Sequence, residues 1–384
     1  MQLELKPEVL QWARERARLS PAELADKMKR KEEQVHAWES TGKIKANWAE
    51  KLAHVTHTPY GCLFMPKPME EKLPISDFRT LKDKKLERPS PDLIEVMDLA
   101  ILRQDWFKDH LITEGGEPLP FIGSLTGNEP VVQAAEMIRQ QLGITTDLRT
   151  TAKSWEDALK LQIARLEEHG ILVMRSGTVG SNTHRVLDVE EFRGFALSDE
   201  LAPVIFVNGV DYAGAQMFTL MHELVHLFLG QSAISNLEQT YSPDVSTERF
   251  CNEVAAEILV PAAELKTVWT NMRQRPDYLR PLCAHFKVSG MVMLRRLRDL
   301  GLINKQQFQE SWQELEMRAK TQKAKSSGGD YYGSTRNRAS AIFSRAIVAS
   351  TLVGQTLYRD AFRLLGISKY DTFVKYAREL NFNV

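Results

Sequence analysis

Met221-His-Glu-Leu-Val-His-Leu-Phe-Leu-Gly230 carries the order His-Glu-x-x-His inside a run whose periodicity predicts helix. At 3.6 residues per turn His222 and His226 fall on one face, one turn apart, where two imidazoles can grip a single divalent ion. Glu223 lies beside them, placed to take a proton from a water that such an ion acidifies to a pKa of about 7. That is the apparatus for hydrolysing a peptide bond. Because a five-residue pattern also arises by chance and most histidines on apolar helices only pack, the flanks carry the decision. Strand-like Pro203-Val-Ile-Phe-Val-Asn208 leads through a turn containing Asp211 to Ala213-Gly-Ala-Gln-Met-Phe-Thr-Leu220, so the motif is predicted on a helix that follows a sheet edge.

Downstream, Thr247 to Pro261 reads as a second helix, since small and apolar residues recur at helical spacing and Pro261 stops it. A second helix is the usual source of the third ligand in a two-histidine, one-carboxylate zinc site, and Glu248, Glu253 and Glu257 compete for that place. Glu248, Asn252, Ala255, Ala256 and Leu259 share one stripe, the face expected to press on the motif helix. Asn252, one turn after Glu248, is then placed to hydrogen-bond a neighbouring ligand. Glu253 and Glu257 read as a solvated face.

On these residues the chain resembles the ImmA/IrrE family of metallopeptidases. The likeness rests on Phe218-Thr-Leu-Met-His-Glu-Leu-Val-His226, on Glu248-x-x-Cys-Asn-x-Val-Ala-Ala256 with Leu259 and Pro261, and on Glu191-Phe-Arg-Gly-Phe-Ala-Leu197 before the strand-like run. It covers roughly residues 126 to 320. The resemblance implies a gluzincin-like core, zinc held by His222, His226 and a glutamate that maps to Glu248, and a role in cleaving or controlling regulatory proteins. Val254 stands where the family more often has Phe, and Cys251 where it has Ala; both are tolerable packing changes.

At 384 residues, 43% hydrophobic and 26% charged, the chain has the composition of a soluble globular protein of two or three domains. No apolar run reaches the roughly 18 residues a membrane helix needs, and the charged start MQLELKPEVLQWARER is no signal peptide, so a cytoplasmic location is expected. Cys62, Cys251 and Cys283 are scattered, which argues against a disulfide framework or a zinc finger and for core positions. Fifty basic and fifty acidic residues cancel overall, but residues 1–68 carry a balance of +3 and residues 319–384 one of +7. Such polarity suits ends that meet negative partners, although a charged face is more often just solvated.

The first 68 residues read as a five-helix bundle. Pro7 to Arg18 is periodic, and Ser20 with Pro21 and Glu23 is a strong helix start. Leu24 to Met28, a short basic turn, and Val35 to Glu39 before Gly42 resemble the helix-turn-helix of XRE-type regulators, whose second helix enters the DNA major groove. Ala25, Val35 and Trp38 take core positions. Lys29 replaces the usual turn glycine and Lys31 the usual capping serine, and the side chains facing base edges would begin with Glu32 and Glu33. Operator DNA would be held by Lys27, Lys29, Arg30 and Lys31 at phosphates, with Gln34 and His36 as readers. The alternative is a helix-turn-helix kept for protein contacts.

Residues 69–125 form a connector: proline-rich at Pro66 to Pro74, then Ile75 to Arg79, a helix from Pro91 to His110 and a Gly/Pro-rich loop. Within 126–320, helices are expected at Val131 to Leu142, Ser154 to His169 and as a pair in Leu279 to Leu302, with a strand at Ile171 to Met174. His285 could stabilise an oxyanion, but an isolated histidine on a packed helix is usually structural; Tyr212 and Tyr241 are further candidates. Gln322 to Asp330 is a polar linker, and the basic helical module after it resembles, through Tyr331-Tyr-Gly333 and Thr356-Leu-Tyr-Arg-Asp360, the tails of XRE-ImmA/IrrE proteins encoded beside toxins, often PIN-like nucleases. Docking on an acidic partner fits that composition, and a hairpin packed on the catalytic domain is the alternative.

The fold expected is therefore multidomain and mainly α, with an α+β zinc-peptidase core carrying a small sheet. The function expected is a regulatory zinc metallo-endopeptidase fused to a helix-turn-helix, acting as antitoxin or transcriptional regulator of a toxin–antitoxin-type pair. The rival is a non-enzymatic antitoxin or DNA-binding repressor that sequesters the toxin, with zinc only stapling the fold. An intact Glu223 favours the enzyme, because a structural site needs no general base.

Overall fold

In a computed structural model, residues 1–70, 76–77, 89–235, 245–321 and 331–384 are described. They fall into two compact units: those up to residue 74 together with those from 84 to 98, and the remainder. Ile75, Arg79, Tyr241 and the linker from Gln322 to Asp330 lie outside the described residues. No helix among the described residues is long and apolar enough to cross a membrane.

In the first unit, helices Pro7–Arg16, Pro21–Met28, Glu32–Thr41 and Ala46–Val55 surround a core of Val9, Leu10, Leu24, Met28, Val35 and Leu52. Trp38 packs on its edge. Ser20 forms a complete capping box with Glu23, each side chain bonding the other's backbone N–H. Lys29 takes the left-handed position (φ 55°) that ends this helix, at the place where a glycine would carry no strain. A fifth helical element of this unit, Tyr60–Phe64, is a 3-10 turn rather than an α-helix. Its place as an organising element is taken by an antiparallel ladder between Gln2–Glu4 and Lys43–Lys45. Gly42 enters that ladder at φ 70°, where a Cβ would lie 2.0 Å from the Leu5 carbonyl oxygen.

The second unit is built on a five-stranded mixed sheet in the order Ser76–Asp77, Ala233–Ser235, Gly194–Leu197, Val204–Asn208, Leu172–Ser176. The middle strand Gly194–Leu197 is antiparallel to both neighbours, and Leu172–Ser176 runs parallel to Val204–Asn208. Every residue of Gly194–Leu197 and Val204–Asn208 is buried, as expected of strands covered on both faces. Alternation assigns the two covers. Val173, Ala196, Ile205 and Val207 share a core with the motif helix Ala213–Phe228, whereas Phe195 stacks on Phe206 on the opposite face, 4.9 Å between rings. The motif helix is buried along its whole length from Gly214 to Phe228. The ligand helix Val245–Leu259 packs across it, and Val131–Gln141 packs on the ligand helix.

The opposite face carries the C-terminal residues, which form four helices, Tyr331–Ala339, Ala341–Leu352, Tyr358–Leu365 and Tyr370–Glu379, rather than an arm set apart from the catalytic core. Arg103, fully buried on the long helix Pro91–Thr113, donates to the carbonyl oxygens of Leu364 at 2.9 Å and Arg338 at 2.5 Å, which close two of these helices. Burial pulls its pKa down to about 9, with Arg338 adding to the effect. The buried Glu167 carboxylate accepts from Ser340 Oγ at 2.5 Å and the Ala341 amide at 2.7 Å. Phe343 meets Trp106 edge-on, and Tyr376 donates to Ser344 at 2.8 Å. These polar anchors come from residues far away in the chain and fix the segment to its own unit, the packed alternative of the two arrangements expected from its sequence.

Candidate metal centre

The motif helix lies under the middle strand because its upper face is small where the strand comes near. At Gly194 a Cβ would come within 2.6 Å of Thr219 Cγ2, 2.8 Å of the Phe206 carbonyl oxygen and 3.0 Å of Glu223 Oε1. Glycine is the side chain that lets strand and helix close around Glu223. His222, Glu223 and His226 are then all fully buried, with the ligand helix presenting Glu248 to both imidazoles.

The separations are 3.2 Å between the two imidazole Nε2 atoms, 3.3 Å from His222 Nε2 to Glu248 Oε2 and 3.0 Å from His226 Nε2 to Glu248 Oε1. Ligands about 2.0–2.1 Å from a tetrahedral zinc stand about 3.3–3.4 Å apart, so the donor triangle is close to the size the ion requires. The two imidazole Nε2 atoms lie within hydrogen-bond distance of each other, but around them Glu248 Oε1, His222 Nδ1 and Asn252 Oδ1 are buried with no hydrogen bond. Buried polar groups are nearly always paired, and converging lone pairs of this kind fit a cation. The donor set, two imidazoles and a carboxylate, suits zinc.

The electrostatics agree with one shared positive charge. Burial opposes charge on His222, but Glu248, then Glu223 and Asn252, outweigh it and raise its pKa. Burial and the neighbouring His222 lower that of His226. The Glu248 carboxyl is penalised by burial yet held well below the usual range by the two histidines.

Most sequence-predicted residues find a place, with one correction. Glu253 is exposed and paired with Arg249 at 2.7 Å, as a solvated face requires. Glu257 is not solvated: it is buried, ion-paired with Arg296, and accepts from the Ala262 amide at 3.0 Å. Cys251 is a buried core residue as expected; its Sγ also lies 3.7 Å from His226 Nδ1, and burial followed by Glu248 pushes its pKa well up. His285 stands apart from the cluster, 2.8 Å from Glu264, whose carboxylate also meets Arg149 at 2.5 Å. Tyr212 lines a cavity of about 510 Å³ whose wall also includes Phe218, Asn252 and Arg193. Phe218 and Asn252 bring this cavity to within one helical turn of His222 and Glu248; the Phe218 and His222 ring centres are 6.5 Å apart. Gly194 and the cavity were not read from the sequence, although a glycine inside a strand is the signal that points to a close approach.

In the first unit Lys27, Lys29, Arg30, Lys31, Gln34 and His36 are all exposed. The Arg30 guanidinium lies 3.6 Å from the centre of the Trp48 ring, and His36 stands 3.6 Å from Glu32.

No curated protein matches the chain closely enough to serve as a relative. A family model described as a domain of unknown function, DUF8813, matches residues 339–379, the body of the C-terminal helices. Residues 166–298, which hold the sheet, the motif helix and the ligand helix, match the model described as the IrrE N-terminal-like domain, a peptidase-type family.

Proposed function

We propose that the second unit is a zinc-dependent metallo-endopeptidase that cleaves a regulatory protein. The convergence of His222, His226 and Glu248 around one point, with Glu223 held beside them by the strand at Gly194, carries this reading. Zinc bound by the three side chains would acidify a water and polarise the scissile carbonyl. Glu223 takes the proton of the attacking water and returns it to the departing amide nitrogen, so the peptide bond gives a carboxylate and an amine. Asn252 favours the charged form of the neighbouring His222, and the close packing of helix and sheet excludes bulk water from the Glu223 carboxylate. Incubation of the zinc-loaded chain with casein or a co-expressed regulator tests the activity. Wild type should cut and Glu223→Gln should not, at equal zinc content.

In the same proposal, residues 1–68 bind operator DNA or a protein and the chain acts as antitoxin or regulator of a toxin–antitoxin-type pair. Support comes from the XRE-like order of helices and from the resemblance of the tail, whose exposed Arg345, Arg359, Arg363, Lys369, Lys375 and Arg378 suit an acidic partner such as a toxin. The full burial of His222, Glu223 and His226 is the observation that favours the second reading, a non-enzymatic antitoxin with stapling zinc. Zinc content that persists in a Glu223→Gln protein still able to neutralise the partner would support it.

A further inference from the structure

The cavity beside the metal cluster is lined by charges of both signs, and each already engages another protein group. Arg193 pairs with Asp211 at 2.7 Å, Arg296 with Glu257, and Glu253 with Arg249. Arg295 lies 5.9 Å from the Trp312 ring centre, Glu316 accepts from the Trp312 indole N–H at 2.9 Å, and Asp299 is surrounded by Arg295, Arg296 and Arg298. What remains for a ligand is apolar surface from Val131, Val132, Phe218, Met291, Val292 and the Trp312 ring. Val132 is 62% exposed, so this surface faces the opening and not the core.

Two glycines close the walls. A Cβ on Gly214 would stand 3.0 Å from the Ser289 amide nitrogen, and one on Gly290 would stand 2.8 Å from Leu315 Cδ1. They let helix Gly290–Asp299 pack against the start of the motif helix and let Lys305–Thr321 close over it, bringing Trp312 and Glu316 to the cavity. The volume, about 510 Å³, falls in the range of roughly 300–1,000 Å³ typical of ligand clefts.

We propose that this cavity is the specificity pocket of the peptidase and takes an extended peptide segment bearing large apolar side chains, in preference to acidic or basic ones. The proposal rests on the peptidase reading and adds its substrate class. Phe218 and Asn252 line the pocket one helical turn from His222 and Glu248, so a segment seated here lies alongside the cluster. Charged side chains would break existing contacts or enter without a partner, and apolar ones meet the apolar part of the wall.

The test uses the full zinc-loaded chain carrying Glu223→Gln, titrated by fluorescence anisotropy with short labelled peptides that differ only in a central Leu-Phe-Leu, Ser-Gly-Ser, Glu-Asp-Glu or Lys-Arg-Lys. The Leu-Phe-Leu peptide should bind about tenfold or more tighter than the others, the discrimination an apolar pocket gives per side-chain difference. Val132→Glu, a change at an exposed position, should weaken that peptide about tenfold and strengthen the Lys-Arg-Lys peptide, a gain that misfolding would not produce. Equal binding of all four peptides, no binding of any, or a Val132→Glu protein with an unchanged order would overturn the proposal. Cleavage by wild type is scored separately. Apolar peptides bound but never cut would sink the peptidase reading and leave the pocket, whereas cleavage without side-chain preference would sink the pocket and leave the peptidase.

Discussion

The two candidate sites of this protein differ in what holds their side chains. His222, Glu223 and His226 are fully buried among two helices and a strand, while Lys27, Lys29, Lys31 and Gln34 stand exposed on the first unit. Buried acceptors such as Glu248 Oε1 and His222 Nδ1, which have no hydrogen bond, fit a bound cation, because leaving such groups unpaired costs about 1–3 kcal/mol each. Exposed cations are satisfied by water and call for nothing. Geometry therefore speaks about the first site and is nearly silent about the second, and the experiments below press on that difference.

The metal is the largest effect. Purified chain should carry about one zinc, and His222→Ala or Glu248→Ala should lose it, since structural zinc sites bind with about 10–16 kcal/mol and one missing ligand removes a large share. Glu223→Gln and Glu253→Gln should keep it. Elemental analysis decides the matter: full zinc in Glu248→Ala with loss in Glu253→Ala would move the third ligand and undo the comparison at its better-supported end.

Arg103→Met comes next. It removes two charge-assisted bonds to the Leu364 and Arg338 carbonyls, each worth about 1.5–3 kcal/mol, offset in part because a buried charge disappears. A net loss of about 2 kcal/mol should lower the melting temperature by several degrees. Deleting residues 331–384 should be worse, uncovering strand Leu172–Ser176 and Trp106 and costing solubility. If both changes leave melting and zinc untouched, the C-terminal helices are an independent module despite their contacts.

The sequence revealed the features that repeat locally and hid those that depend on distant partners. His222 and His226 are legible because one helical turn separates them, and Glu248 because it shares a stripe with Asn252 and Ala255. Glu257 was misread because its partner, Arg296, lies on a later helix, and periodicity says nothing about which face that helix will cover. The packing of the tail is not legible for the same reason: Arg103 and Glu167, which anchor it, precede it by well over a hundred residues. Gly194 belongs to this class too, since its value lies in what the strand approaches.

Gly194→Ala measures that approach. The added methyl meets a backbone oxygen at 2.8 Å as well as Thr219 and Glu223, so the strand must shift, at a cost of about 1–3 kcal/mol. Displacement of Glu223 should lower peptidase activity by up to about a hundredfold while zinc is retained, because misplacement of about 1 Å is worth that much. Equal loss of zinc and activity would mean that the strand supports the whole site and not the base alone.

The smallest effect belongs to the exposed site. Glu32 and Glu33 open helix Glu32–Thr41, where they complement the helix dipole and oppose any phosphate brought close. Glu32→Gln with Glu33→Gln should raise non-specific affinity for duplex DNA only a few-fold, and only at low salt, because exposed charges are screened beyond about 10 Å at 0.1 M. The same change should cost stability slightly, about 0.3–1 kcal/mol per lost carboxylate at the helix start. Anisotropy against salt, read beside melting curves, separates the two consequences. A tight operator whose binding disappears in Glu32→Gln alone would reverse the argument: the carboxylate would then be accepting from a cytosine N4 amine, and the exposed surface of the first unit would be as specific as the buried one of the second.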